Sequence, residues 1–196
     1  MEEMAFDDPD AIPDDTLLVL YANGDAAASR LLTTRLAPRV LGQAVRMLGD
    51  RAEAEDVTQE AMLRLWRIAP DWRQGEAKVT TWLYRVTANL CTDRLRKRRG
   101  GADIDDIPEP ADPALPVHEA MQSRARMDAL QEALDQLPDR QRQAVVLRHL
   151  EGLGNPEIAE ILEISTEAVE SLTARGKRAL SRLLAARREE LGYHDD

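Results

Sequence analysis

The sequence predicts an all-α fold of two small helical domains joined by a flexible acidic linker. Three observations carry this. Apolar residues recur at helical spacing through residues 15–99 and again through 117–188, with no strand pattern of any length. Residues 100–116 hold four of the ten prolines and two glycines and have no apolar period, the composition of an extended tether. Residues 1–14 and 189–196 fall outside both periodic blocks, the first as an acidic tail expected to be disordered, the second as a short C-terminal tail.

The elements follow in order. Asp25, after Gly24, has the short acceptor side chain of a helix N-cap, and Pro38 should interrupt the helix that follows. Asp50 caps a second helix that runs to about Ala69 and is stopped by Pro70. A short loop, PDWRQGEAK, leads into a long helix from about Val79 to Arg98. In the second block one helix spans about 118–136. Pro138 occupies the first turn of another that ends near Gly152, and two shorter helical segments follow, broken around 163–165.

The chain is acidic, with a formal net charge of −10, which taken alone argues against nucleic acid. The distribution reverses that reading. Residues 2–15 hold seven acids and no base, and residues 102–113 hold five acids and no base. With these set aside the remainder is slightly basic. Residues 94–99 carry five bases, and residues 175–188 carry six, neither run with an acid. One cysteine, Cys91, excludes an intrachain disulfide and fits a cytoplasmic chain. No apolar run approaches a membrane span, and the amino end is acidic where a signal peptide is basic. Three scattered histidines give no zinc spacing, and there is no phosphate-cradling glycine loop or nucleophile motif. No metal, cofactor or catalytic activity is expected.

The stretch NPEIAEILEISTEAVESLTA, from Asn155 to Ala174, fits a helix-turn-helix. Ala159 is the small residue that lets the second helix cross closely, Ile158 and Leu162 pack beneath, and Ile164 buries the turn. Val169 and Leu172 face inward, three apart on one side. Ser165 caps the second helix, with Ala168 at the position where a capping box would need Glu or Gln. Glu163 stands where a turn glycine is common, in a backbone state that costs about 1 kcal/mol. Such a unit lays its second helix in the major groove, N-terminal end first. Thr166, Glu167, Glu170, Ser171, Ala174 and Arg175 face outward there, with Lys177 and Arg178 in reach of bases or phosphates. A plain helical hairpin with a solvated face is the alternative, and the uninterrupted bases of 175–188 weigh against it.

In VTTWLYRVTANLCTDRLRKRR, Val79, Leu83, Val86 and Leu90 share one face, and Thr81, Arg85, Asn89, Thr92 and Arg96 lie roughly opposite. Four of the seven aromatics, Trp66, Trp72, Trp82 and Tyr84, fall within one nineteen-residue window, with Trp82 and Tyr84 in this helix and Trp72 in the loop before it. Aromatics beside a basic face hold unstacked bases, although Trp82 fits a core position equally well. The bases of 94–99 repel one another without a partner. Cys91 reads as a small buried hydrophobe. The preceding helix, EAEDVTQEAMLRLW, buries Val57, Ala61 and Leu65 and shows Asp56, Gln59, Glu60, Leu63 and Arg67. A leucine among acids suits a protein contact as well as a scattered surface position.

Together these residues resemble a bacterial RNA polymerase sigma factor of the two-domain extracytoplasmic-function type of the sigma-70 family, over about residues 16–187. GDRAEAEDVTQEAMLRLW is similar to the family's helix that docks on the polymerase β′ clamp. TTWLYRVTANLCTDRLRKRR is similar to the helix that reads and opens the −10 element, and residues 134–180 are similar to the domain that binds the −35 element. The resemblance implies that 15–99 form a region 2-like domain and 117–188 a region 4-like domain. It implies that Asp56, Gln59, Glu60 and Leu63 hold the β′ clamp. Trp72, Lys78, Thr81, Trp82, Arg85 and Asn89, with the loop 71–78 as a pocket for a flipped base, are then set to meet the −10 strand. Arg94, Arg96, Lys97, Arg98 and Arg99 hold its backbone, and Thr166, Glu167, Glu170, Ser171, Arg175, Lys177 and Arg178 approach the −35 duplex.

Partners implied by the resemblance are core polymerase at its β′ clamp and β flap, promoter DNA, and an anti-sigma factor wedged against the domains. The linker acids Asp103, Asp105, Asp106, Glu109 and Asp112 are expected to occupy positive polymerase surfaces as an RNA-like strand. This chain has AVESLTARGK where the family often has TVKSRLHRAR, so an unusual −35 sequence is expected. A core-independent helix-turn-helix regulator leaves the Asp56–Arg67 face and the Trp-rich loop idle. A mimic that titrates an anti-sigma factor usually loses the basic residues that this chain keeps.

Overall fold

The computed structural model describes residues 12–100, 117–185 and 187. The expected acidic tail up to residue 11, the five linker acids and the tail from 189 lie outside the described residues. The described residues form eight α-helices and no strand. These are α1 (Asp14–Ala22), α2 (Ala26–Leu48), α3 (Arg51–Ile68), α4 (Val79–Gly100), α5 (Val117–Asp135), α6 (Asp139–Val145), α7 (Asn155–Leu162) and α8 (Thr166–Ala185). A 3₁₀ turn, Ala69–Asp71, ends α3, and a π turn, Val146–Leu150, extends α6.

Local chemistry sets the boundaries. Asp25 accepts the Ala27 and Ala28 amides at 2.8 and 3.3 Å and starts α2. Gly49, at φ 66°, ends it in the left-handed region. Glycine is needed there twice over, because a Cβ would lie 2.8 Å from Asp135 Oδ2 on α5. Asp50 then accepts the Glu53 amide at 2.9 Å to open α3. Pro38 does not interrupt α2, contrary to expectation. The missing bond costs about 3 kcal/mol in an isolated helix. Here Leu32 and Leu36 before it, and Val40, Gln43, Ala44 and Met47 after it, are all buried on one continuous helix, and that packing overrides the local penalty.

Three apolar clusters make the core. One lies within the N-terminal half, among Leu17, Leu18, Leu32, Leu36, Leu65 and Leu83. The other two cross between the halves. Met47, Val57, Cys91 and Leu95 pack with Leu134, Leu137, Val145 and Val146. Tyr84 and Ala88 pack with Ala144, Leu147, Ile158 and Val169. Polar groups staple the same seam. The buried Arg142 guanidinium donates to the Met47 carbonyl at 2.6 Å, the Asp135 carbonyl at 2.7 Å and Asp135 Oδ1 at 3.1 Å. Gln143 Nε2 donates to Thr92 Oγ1 at 2.8 Å.

In the C-terminal half α7 and α8 form the expected helix-turn-helix. Ile158, Leu162 and Val169 are buried, Ile164 is half-buried, and Ser165 Oγ accepts the Ala168 amide at 3.2 Å. Glu163 has φ 54° and ψ 47°, the one positive φ outside glycine among the described residues. α8 continues to Ala185, so the basic residues from Arg175 extend the same helix. It crosses α6 at Gly176, where a Cβ would lie 2.5 Å from Val145 Cγ2 and 3.2 Å from the Gln141 carbonyl. Gly176→Ala is therefore expected to lose about 1 kcal/mol net, since overpacking outweighs the helix-propensity gain. A urea midpoint that falls at unchanged slope checks this.

Candidate nucleic-acid and polymerase interface

α4 has helical neighbours on several sides, with α2 and α3 against one part of its surface and α7 against another. This revises the face assignment read from periodicity. Thr81, expected outward, is only 5% exposed, and Val86 and Leu90, expected in the core, are half-buried. Arg85 and Thr92 are half-buried toward α7 and α6, while Asn89 between them is exposed as expected. Arg85 Nη2 donates to the Glu160 carbonyl at 3.0 Å, and its guanidinium lies 3.6 Å from Glu160 Oε1 and 3.8 Å from Glu163 Oε1. Asn89, Thr92, Arg96, Arg140 and Glu163 border a cavity of about 370 Å³ between the halves.

Two more cations expected at the −10 strand are engaged across the same seam. Lys78 Nζ donates to Glu157 Oε1 at 2.8 Å, and Arg99 Nη2 to Asp139 Oδ1 at 2.6 Å. The Lys78 hydrogen bond, then the Gly154 amide, hold the Glu157 carboxyl below its ordinary value, and the same Lys78 bond raises the ammonium. A depressed folded pKa gives a contribution that is present above the unfolded carboxylate value and lost as pH falls through the folded one. Acidification below the ordinary carboxylate range therefore releases this contact.

Trp72 and Trp82 meet edge to face, with centroids 6.3 Å apart and planes at 87°. With Ile68, Asp71, Arg73 and Glu76 they line a cavity of about 240 Å³ at the start of α4. Trp72 Nε1 is buried there without an acceptor among the described residues. Tyr84 belongs to another environment. It is buried and donates to Glu151 Oε2 at 2.9 Å, and burial followed by the Glu151 charge drives its phenol pKa far upward.

The basic run finds part of its compensation inside the fold. Arg94 pairs with Asp56 at 3.5 Å and Arg96 with Asp93 at 3.8 Å. Arg98 pairs with Glu53 at 2.9 Å and donates to the Leu48 carbonyl at 2.8 Å. Lys97 is exposed. On α3, Asp56, Gln59 and Leu63 are exposed, Leu63 at 42%, while Glu60 is half-exposed and accepts from Arg64 at 2.8 Å. That bond lowers the Glu60 carboxyl.

On α8, Glu167, Glu170, Arg175, Lys177 and Arg178 are exposed, and Thr166 and Ser171 are half-buried. Arg175 Nη2 donates to Ser171 Oγ at 2.8 Å, and Asn155 Nδ2 to Glu170 Oε1 at 3.4 Å. The backbone amide of Glu167 and the Ser165 hydroxyl hold the Glu167 carboxyl below its ordinary value.

Cys91 is buried in the cluster shared by the two halves, and burial pushes its thiol up to about 12. A thiolate-selective reagent at mildly alkaline pH is expected to leave it unmodified in the folded chain and to react fully in denaturant. Labelling of the native protein at the unfolded rate would show that the site opens.

Sequence reasoning missed the seam residues Asp139, Arg142, Gln143, Glu157 and Glu160. One signal was available: Glu157 and Glu160 on α7 and Glu163 just after it recur every third residue, an acidic pattern in a DNA-binding motif.

Fold and surfaces together are those of a helix-turn-helix protein with a second helical half that carries an aromatic cavity and an arginine-rich helix. The family description Sigma-70 region 2 matches residues 32–100, and Sigma-70, region 4 matches residues 127–180. The ECF RNA polymerase sigma factor SigE of Mycolicibacterium smegmatis is 37% identical over 180 residues, 88% of this chain and 68% of that one. The RNA polymerase sigma-H factor of Pseudomonas aeruginosa is 32% identical over 181 residues, 87% of this chain and 93% of that one. Among solved structures, CnrH in complex with the cytosolic domain of CnrY matches with a TM-score of 0.67 at 26% identity, over 88% of this chain and 97% of that one. The chain belongs to the extracytoplasmic-function family of RNA polymerase sigma factors.

Proposed function

We propose that this chain binds core RNA polymerase in the cytoplasm, directs it to particular promoters and helps open the −10 element, in a stress or envelope response under an anti-sigma factor. The observation that supports this best is that one chain of this family carries three separate surfaces suited to three partners. The acidic α3 face with Leu63 at its centre suits the β′ clamp, through Asp56, Gln59, Glu60 and Leu63. The region 2-like half, 15–99, presents the Trp72–Trp82 cavity to an unstacked base, with Lys78 just before α4, Arg85 and Asn89 further along it, and Arg94 to Arg99 at its end for the backbone. The region 4-like half, 117–188, offers its α8 residues to the −35 duplex and another surface to the β flap. The relative solved with the cytosolic domain of CnrY supports a protein partner for this chain too. No helix among the described residues is long and apolar enough to cross a membrane.

Run-off transcription with purified core polymerase and a promoter pool varied at both elements tests this reading. Specific transcripts that depend on the added chain are expected. Core binding without any start would favour a mimic that titrates an anti-sigma factor. DNA binding that needs no core would favour a lone regulator.

A further inference from the structure

We propose that α7 is an internal stand-in for promoter phosphates: Glu157, Glu160 and Glu163 hold Lys78 and Arg85 of the −10 helix until DNA or polymerase displaces them. It rests on the assignment of α4 to the −10 strand. Four observations lead to it. Glu157 and Glu160 lie one turn apart on α7, roughly 4.5 Å along its axis, and Glu163 follows at its left-handed C-cap, so three acids gather at the end of the helix. Those acids meet cations of the other half at the solvent-exposed edge of the seam, at 2.8 Å for Lys78–Glu157 and 3.6 and 3.8 Å for Arg85 with Glu160 and Glu163. A guanidinium or ammonium engaged this way already has a carboxylate beside it, which compensates its charge and occupies part of its donor set, so closure and strand binding compete.

The third observation is the backbone of Glu163. A left-handed residue that is not glycine is strained, and such strain persists where the surroundings use the side chain. Here that side chain reaches Arg85. The fourth concerns the motif itself. In a helix-turn-helix the first helix crosses the DNA backbone, where carboxylates are unfavourable, so the acids of α7 call for another use. Exposed ion pairs of this kind are individually weak and salt-sensitive, which suits a latch that must release. Beneath them Tyr84 and Ala88 share an apolar cluster with Ile158 and Ile161, which gives the closed seam its grip.

The test uses the full chain without polymerase and a fluorescein-labelled single-stranded oligonucleotide of mixed sequence, read by polarisation. The E157Q/E160Q/E163G variant is expected to bind it roughly tenfold more tightly than the parent, as two freed cations gain phosphate contacts. Its radius of gyration by small-angle scattering should rise. Glu163→Gly alone places glycine in the left-handed turn, keeps the fold, and is expected to gain roughly threefold. A variant with the same charge change in the tail, E2Q/E3Q/D7N, should stay within about twofold of the parent. Unchanged affinity in the triple variant overturns the latch, as does an equal gain in the tail variant, which would assign the effect to net charge alone. Promoter-specific run-off by the parent chain with core reports on the promoter reading separately.

Discussion

Arg142→Ala is expected to lower the unfolding free energy by about 3 kcal/mol, the largest effect of any single polar substitution in the seam. The guanidinium is buried and its bonds hold three acceptors in place: the Met47 carbonyl at the end of α2, and the carbonyl and carboxylate of Asp135 at the end of α5. Desolvation lowers its pKa, and Asp135 and Asp139 oppose that shift. Truncation leaves the Met47 carbonyl dry and unpartnered and empties a side-chain volume between the halves. Arg142→Met fills most of that volume without a buried charge and should lose only about 1 kcal/mol. Urea denaturation of both variants checks the difference. Equal losses would mean that packing, not hydrogen bonding, is what Arg142 supplies.

Trp82→Ala is expected to weaken binding of a non-template −10 strand, in the presence of core, by about 2 kcal/mol, roughly thirtyfold. The ring is half-buried against the N-terminal core and meets Trp72 edge to face, so part of its surface is available to stack with a base. Trp82→Phe retains an aromatic surface and should keep most of the affinity. Thermal melts of both variants separate a folding defect from a binding one. If Trp82→Ala melts lower but binds the strand like the parent, the ring serves the core alone.

The features that could be read from the sequence are those decided within a few residues. The Asp25 and Asp50 caps, the Ser165 cap and the strained state of Glu163 depend on side chains three residues apart or on one φ angle. Ile158 and Leu162 on α7 are four apart on one face, and with Val169 on α8 they follow from the helix-turn-helix pattern. Pro38 was misjudged because burial on both sides of it outweighs a local penalty. The outward face of α4 was misjudged for a related reason. Periodicity separates apolar from polar, but it cannot say that a polar strip faces another helix, and Arg85 meets Glu160 from 75 residues away. The five arginines and lysines of 94–99 were read as lacking compensation, yet Asp56, Asp93, Glu53 and Asp139 supply much of it. Only Asp93–Arg96, three apart on α4, leaves a mark in the local pattern; the other pairings do not.

The order of the chain adds a matter of timing. Arg85 is synthesised 75 residues before Glu160, the acid whose carbonyl it binds. At roughly 5–20 residues per second, α4 emerges from the ribosome about 4–15 seconds ahead of the helix that covers it. During that interval Arg85 and Arg99 lack Glu160, Glu163 and Asp139, and their neighbours Tyr84 and Ala88 lack Ile158 and Val169 to cover them. Nascent chains should therefore bind nearby nucleic acid or chaperone more readily than finished ones. Ribosomes stalled just before α7 are the place to look for such adducts.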